Sequence, residues 1–487
     1  MAALRPSILH SRGRSSLLAQ LAGQARALSL PAFDYKHIRD NADQLLDNAI
    51  KRNVKDAQPH RVGKLYDEFC TLTTAAVRDR HALNTASAVL AKGIRNGLDA
   101  KELAMARARA RALKAAIQTT EASLAGVQAA MAYEALHIPN SSHPDAPIGD
   151  ESHARTVRTH GLLHTIDRVP ENGIDIARLS NLPFADHLVL AERLGLVDMA
   201  AGASVAGSRF HYWRGAGALL ELALVQYAMT RAVAAGFELH ITPDVARTSV
   251  VDACGFRPRA TQAGEASQIY GIAPVGADDV AADPLCLVAT AEIPLVAMRR
   301  NSVLPSVPLS VAGLSHCFRA EAGARGRDTR GLYRLHQFTK VELVTLTLPD
   351  RSDAELARLV DFQTTLYADL GLTFRVLQMP THELGAAAYQ KFDIEAWMPG
   401  RRAWGEISSA SNCTDYQSRR LGIRARADGV RSPVFVHTLN ATAVAVPRLV
   451  VALLESFQRP DGNVVVPDVL RPWMMGIDVL APSPTNH

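Results

Sequence analysis

The chain has 487 residues, 48% of them hydrophobic and 21% charged, a globular composition that excludes wholesale disorder and suffices for two or three domains. No stretch approaches the ~20 uncharged apolar residues needed to cross a bilayer, because Arg448 interrupts the most apolar region, Ala441–Leu454, so a soluble protein with no membrane partner is expected. Net charge is +5, and the excess is local.

Residues 1–33 carry Arg5, Arg12, Arg14 and Arg26, several serines and no acidic residue; without those arginines the balance falls to +1. Arg-rich, Ser-rich and acid-poor is the composition of a mitochondrial transit peptide, the other reading being a disordered basic arm. The five cysteines (Cys70, Cys254, Cys286, Cys317, Cys413) are scattered with no C-x-x-C pair. Neither a disulfide framework nor a zinc site is expected.

From Leu65 a 4-3 spacing runs Leu65, Phe69, Leu72, Ala76, Asp79, Leu83, Ala86, Leu90, and resumes as Ala106, Ala110, Leu113, Ile117, Thr120, Leu124, Val127, Met131, Glu134. This is a coiled-coil seam. Gly93, Gly97 and Asp99 mark a reversal between two helices of some 30–35 residues, predicting an antiparallel hairpin about 45–50 Å long over roughly 62–137, ended by Pro139. Between Lys51 and His137 fourteen basic residues face eight acidic ones. A +6 arm on a mildly acidic body suits a polyanion, although a basic coiled-coil face can equally be only solvated.

A Pro-, His- and Gly-rich loop over 138–149 marks a domain boundary. Beyond it the pattern is α+β with an antiparallel sheet: an amphipathic helix near Gly217–Ala235, an extended Phe237–Pro243, and paired strands around Leu314–Ala320 and Leu335–Leu346. On a strand Arg319 and Glu321 share a face. The polar loop Ala322–Gly331 is placed to cover a phosphate-bearing ligand, and the return strand adds Glu342 in period with Phe338 and Lys340. Gly405–Asp415 collects hard oxygen donors that suit Mg²⁺, the alternative being a hydrogen-bonded turn. Asn440–Arg448 reads as a small-residue strand entering a helix, with Pro447 in the first turn. Arg448 beside that helix N-terminus is unfavourable without an anion, and a phosphate would resolve it.

Phe318–Glu342, Phe392–Arg420 and His437–Met474 closely resemble motifs two and three, and the stretch between them, of the class II seryl-tRNA synthetases, with the mitochondrial branch the nearest likeness. Thr290-Ala-Glu-Ile-Pro-Leu295 resembles the family's serine-binding element, Phe237–Pro243 its motif one, and the hairpin its N-terminal tRNA-binding arm. The resemblance implies two regions after the transit peptide's end at 33: a tRNA-binding domain over 34–140 and a class II catalytic domain over 150–480 whose antiparallel sheet is flanked by helices. Motif one falls near 237–243, motif two near 314–346 and motif three near 437–457.

It further implies a serine–tRNA ligase that forms seryl-adenylate from L-serine and ATP and charges tRNA(Ser) as a homodimer in the mitochondrial matrix; a catalytically inactive tRNA-binding paralogue is the alternative. Carried over position by position, Arg319, Glu406 and Arg448 would be catalytic, with Arg319 bridging the serine carboxylate and the ATP α-phosphate and Arg448 on the γ-phosphate. L-Serine would be held by Thr290, Ala291, Glu292, Arg319, Glu342, Asn440 and Thr442. ATP would be bordered by Arg319, Ala320, Glu321, Leu335, Phe338, Glu406, Ile407, Ser408, Ser409 and Arg448, with Mg²⁺ on Glu406 and Ser409. In the arm, Arg78, Arg80, Lys92, Arg95, Lys101, Arg107, Arg109, Arg111 and Lys114 would meet tRNA. Ala441 and Ala443 stand where many members have glycine, and their methyls are expected to narrow the pocket. A thiol hydrolase built on Cys413 and His437 has no visible oxyanion element, and Cys413 is expected in the core.

Overall fold

The structure is a computed structural model that describes residues 33–97, 99–161, 184–256, 269–273, 283–321 and 331–482. The segment expected to be a transit peptide, all but residue 33, and nearly all of the polar loop after Glu321 lie outside them. The chain divides into two compact units between Pro139 and Asn140.

In the first unit, short helices α1 (Tyr35–Asp40) and α2 (Ala42–Lys51) precede the long pair α3 (Pro59–Asn96) and α4 (Ala100–Leu136). Every residue of the predicted seam is at least partly buried. The helices are 38 and 37 residues long, a little more than expected and about 55 Å at 1.5 Å per residue, because Pro59 starts α3 a turn earlier than the heptads do. The reversal is capped on both sides. Gly97 adopts the left-handed conformation (φ 75°) and returns its N–H to the Gly93 carbonyl, and the Asp99 carboxylate accepts from the N–H groups of Lys101 and Glu102, each at 2.8 Å. The two charged seam residues are paired: Glu134 with Arg61 at 3.2 Å and Asp79 with Arg78 at 3.2 Å. Ile38, Val62, Met131, Ala135 and Ile138 form the unit's small core.

The second unit is built on an eight-stranded sheet. Its strands are β1 (Arg155–His160), β2 (Glu238–Ile241), β3 (Leu309–Phe318), β4 (Gln337–Thr347), β5 (Phe374–Gln378), β6 (Gln390–Met398), β7 (Ala403–Asn412) and β8 (His437–Ala445), in the order β1-β5-β6-β7-β8-β4-β3-β2. Every neighbouring pair is antiparallel except β2 against β3. That edge departs from the all-antiparallel expectation, and the long connection between Ile241 and Leu309 provides the crossover a parallel pair needs.

Five further helices frame the sheet: α5 (His187–Arg193), α6 (Ala216–Ala234), α7 (Glu292–Ala297), α8 (Ser352–Asp369) and α9 (Val446–Ser456). Helices α6, α8 and α9 cover one sheet face and bury the main core with it. The short α7 packs on β3 and β4 in a second cluster containing Ile293, Leu295, Val311 and Val344. A Cβ at Gly313 of β3 would lie 2.8 Å from the Leu295 side chain, so a bare backbone there is what lets α7 sit close to the sheet. The Gly405–Asp415 stretch is mostly strand β7 rather than a turn.

Candidate active site

The other sheet face carries the chemistry, and two β-bulges decide which side chains reach it. In β7, Glu406 pairs with Glu395 and Ser408 with Ile394, leaving Ile407 as an extra residue. Ile407 and Ser408 therefore turn into the core, at 0% and 2% exposure, while Glu406 and Ser409 come to one face. The Ser408 hydroxyl donates to the Thr442 carbonyl at 2.8 Å; Ile407 and Ser408 offer the cleft main chain. In β8, Thr442 pairs with Glu342 and Val444 with Val341, so Ala443 is the extra residue. Ala441 and Ala443 are both fully buried in the main core. Their methyls point away from the pocket and do not narrow it, contrary to the expectation from the missing glycines.

Arg319 and Glu321 do not share a strand face, because β3 ends at Phe318 and Glu321 has a left-handed backbone (φ 46°). Both still line the cleft, but Glu321 pairs with Arg334 at 3.5 Å, not with Arg319. The Arg319 guanidinium lies 5.2 Å from the Phe338 ring centroid. One hollow of the cleft is lined by Phe338, Leu335, Glu406, Ser409 and Arg448. The other, a cavity of about 640 Å³, is lined by Thr290, Glu292, Glu342, Asn440 and Ser411. Arg319, Glu321, Lys340 and Ser409 border both.

In the larger hollow, one Glu342 carboxylate oxygen accepts from the hydroxyls of Thr290 at 3.5 Å and Thr442 at 3.3 Å and contacts the Lys340 ammonium. Ala291 is fully buried at the start of α7. The Glu292 carboxylate accepts from Gln417 at 2.6 Å, whose own amide oxygen accepts from Thr438 at 2.6 Å. Burial, then the charge of Glu342, push the Glu292 carboxyl up to about 7, against the Gln417 hydrogen bond. Asn440 is buried beside Cys413, 3.6 Å from its sulfur.

In the other hollow, Glu406 pairs with Arg448 at 3.0 Å. Burial would raise the Glu406 carboxyl, but Arg448 and then Lys391 overcome it and hold it near 2. The anion that relieves Arg448 at the α9 N-terminus is thus a protein carboxylate, not a phosphate alone. An ionised carboxylate and the Ser409 hydroxyl, brought to one face by the bulge, are hard oxygen donors that fit a divalent cation. Lys391 and Asp393, 2.8 Å apart on β6, flank this pair. Sequence reasoning passed over them, and over Tyr333 and Gln417; the i, i+2 spacing of Lys391 and Asp393 on one strand face was the available signal.

On the arm, all nine singled-out basic residues from Arg78 to Lys114 are exposed. Arg78 and Arg80 are engaged with Asp79 and Glu121.

Residues 276–457 match the family model described as the tRNA synthetase class II core domain (G, H, P, S and T), the class that this sheet and its cleft define. Residues 33–142 match the seryl-tRNA synthetase N-terminal domain. The serine–tRNA ligase of Rubrobacter xylanophilus is 40% identical over 454 residues, 93% of this chain and 99% of that one. A mitochondrial serine–tRNA ligase of Mus musculus is 42% identical over 354 residues, 72% of this chain and 64% of that one. The seryl-tRNA synthetase of Pyrococcus horikoshii, solved with ATP, superimposes with a TM-score of 0.79 at 33% identity, covering 92% of this chain and 99% of that one. The chain belongs to the seryl-tRNA synthetase family. Its activity is that of a serine–tRNA ligase.

Proposed function

We propose that this ligase serves mitochondrial translation, acts as a homodimer on tRNA(Ser), and uses the residues of the cleft in the following roles. The carrying observation is that two threonine hydroxyls and an ammonium converge on one buried Glu342 oxygen, beside Arg319 and the Glu406–Arg448 pair. Glu292, Thr290 and Glu342 receive the serine amine, Glu342, Thr442 and Asn440 its hydroxyl, and the main chain at Ala291 borders it. Alanine leaves buried polar groups unpaired and is rejected strongly, while threonine is excluded by space.

Adenine stacks on Phe338, with Glu321 accepting from its amino group and the main chain at Ala320, Leu335, Ile407 and Ser408 bordering the nucleotide. Arg319 bridges the serine carboxylate and the α-phosphate, holding the two reactants in line and stabilising the negative charge that grows during displacement of pyrophosphate. Arg448 grips the γ-phosphate. Glu406 and Ser409 hold Mg²⁺, which neutralises phosphate charge. In the second step a ribose hydroxyl of the terminal adenosine of tRNA takes the seryl group from the adenylate, with no covalent enzyme intermediate.

The exposed basic face from Lys92 to Lys114 supports tRNA binding by the arm. Arg-rich residues 1–33 and the likeness to a mouse mitochondrial relative support the transit peptide and the mitochondrial site. Ile241, 82% exposed on the edge strand β2, supports the homodimer.

The test is exchange of labelled pyrophosphate into ATP with serine, alanine or threonine. Exchange with serine alone, abolished by Arg319→Ala, is expected. A folded protein that binds tRNA but exchanges nothing would make it the inactive paralogue.

A further inference from the structure

Tyr333 lines the nucleotide-side hollow and is 9% exposed. Two guanidinium groups lie over its ring, Arg401 at 4.2 Å and Arg448 at 4.9 Å from the centroid. Its hydroxyl donates to the Glu406 carbonyl at 3.0 Å, the same oxygen that accepts from Arg448 at 3.3 Å. Tyr333 therefore touches both partners of the Glu406–Arg448 ion pair, one through its ring face and one through its hydroxyl.

The chain next to Tyr333 and Arg401 is tied down by buried polar contacts. Glu455, fully buried on α9, accepts from the main-chain N–H of Arg401 at 3.0 Å with one oxygen and from His187 with the other, at 3.2 Å from its main-chain N–H and 3.0 Å from Nδ1. With Nδ1 donating, His187 Nε2 accepts from the Leu332 N–H at 3.5 Å, the residue before Tyr333. Asp186, His187 and Glu455 have the makings of a metal site, but their atoms are already committed to these protein partners. What the cluster does is bind α5, α9 and the chain on either side of Tyr333 and Arg401 into one frame.

An arginine at a helix N-terminus, next to a second guanidinium, sits in unfavourable electrostatic surroundings. A carboxylate and an aromatic face are the two features that offset this, and the face also limits where the guanidinium plane can go. We infer that Tyr333 is the positioning residue for Arg448, fixing its guanidinium for the terminal phosphate and so setting the enzyme's affinity for ATP. This rests on the proposed role of Arg448 as the γ-phosphate clamp.

The role separates ligands by phosphate number, since Arg448 in that role discriminates ATP from AMP. The experiment is calorimetric binding of ATP and of AMP to the full chain, with melting temperature recorded for each variant. Tyr333→Leu is expected to weaken ATP about 3- to 30-fold, the range a partly buried cation–π contact supports, and to leave AMP unchanged. Tyr333→Phe keeps the ring and should restore most of the ATP affinity. In an Arg448→Met background, Tyr333→Leu should have no further effect on ATP, because its contribution acts through the arginine.

Equal losses for ATP and AMP, or a full loss in the Arg448→Met background, would reduce Tyr333 to a structural residue and overturn the inference. An unchanged ATP affinity in Tyr333→Leu would overturn it as well, leaving the clamp reading intact provided Arg448→Met weakens ATP. If Arg448→Met itself leaves ATP binding unchanged, the clamp reading falls and the inference with it.

Discussion

At Glu342, Thr290, Thr442 and Lys340 meet on one carboxylate oxygen in a site 2% exposed. In the proposed role a substrate hydroxyl would add a partner to this cluster, and its loss would leave buried acceptors unmatched. Thr442→Val is therefore expected to lower kcat/KM for serine in pyrophosphate exchange by about 10- to 100-fold, while KM for ATP stays near that of the native enzyme. Glu292 makes a different statement. With its carboxyl at about 7, it gains its negative charge as pH rises through neutrality, and in its proposed role only the charged form would attract the serine ammonium. KM for serine should fall as pH is raised from about 6 to about 8, and a Glu292→Gln variant should flatten that dependence; an unchanged profile in the variant would assign the titration elsewhere.

Elements place these groups by small irregularities in otherwise regular strands. The extra residues Ile407 and Ala443 change which face each strand presents on either side of the bulge, bringing Glu406 beside Ser409 and keeping both alanine methyls of β8 in the core. Gly313 does comparable service for α7 by admitting Leu295. Gly313→Ala should push α7 off the sheet, costing about 1–3 kcal/mol in denaturant unfolding. Thr290 and Glu292 ride at the start of α7, so KM for serine should rise more than KM for ATP. Equal rises would mean that the whole cleft had relaxed instead. In the arm, the heptads and the Gly97 and Asp99 caps agree with one another and with the observed helices, which is why that hairpin was readable residue by residue.

The two units divide the work by charge and by shape. The arm carries an excess of basic residues on a face that its apolar seam leaves exposed, whereas the sheet unit surrounds a cleft. Reversing Arg107, Arg109 and Arg111 to glutamate should raise KM for tRNA in aminoacylation and reduce the magnitude of its salt dependence by about two to three in log–log slope. Serine-dependent pyrophosphate exchange, which in the proposed two-step scheme precedes tRNA, should be unaffected. A matching loss of exchange would show that the substitutions had damaged more than the arm surface.

Local pattern determined the coiled-coil hairpin, the strand that carries Phe338 and Glu342, the strand-to-helix passage into Arg448, and through motif likeness the family itself. Each depends on residues a few positions apart, where periodicity and capping act. Tertiary structure decided which side chains face the cleft and what they meet there. One extra residue in a strand reverses alternation without leaving any mark in composition, so the bulges at Ile407 and Ala443 and the break after Phe318 could not be read from spacing. The counter-charge of Arg448 is Glu406, 42 positions away, and the frame next to Tyr333 joins His187 to Glu455 across 268. Such pairings follow from three-dimensional packing, because burying a charge demands a partner but does not say which part of the chain must supply it.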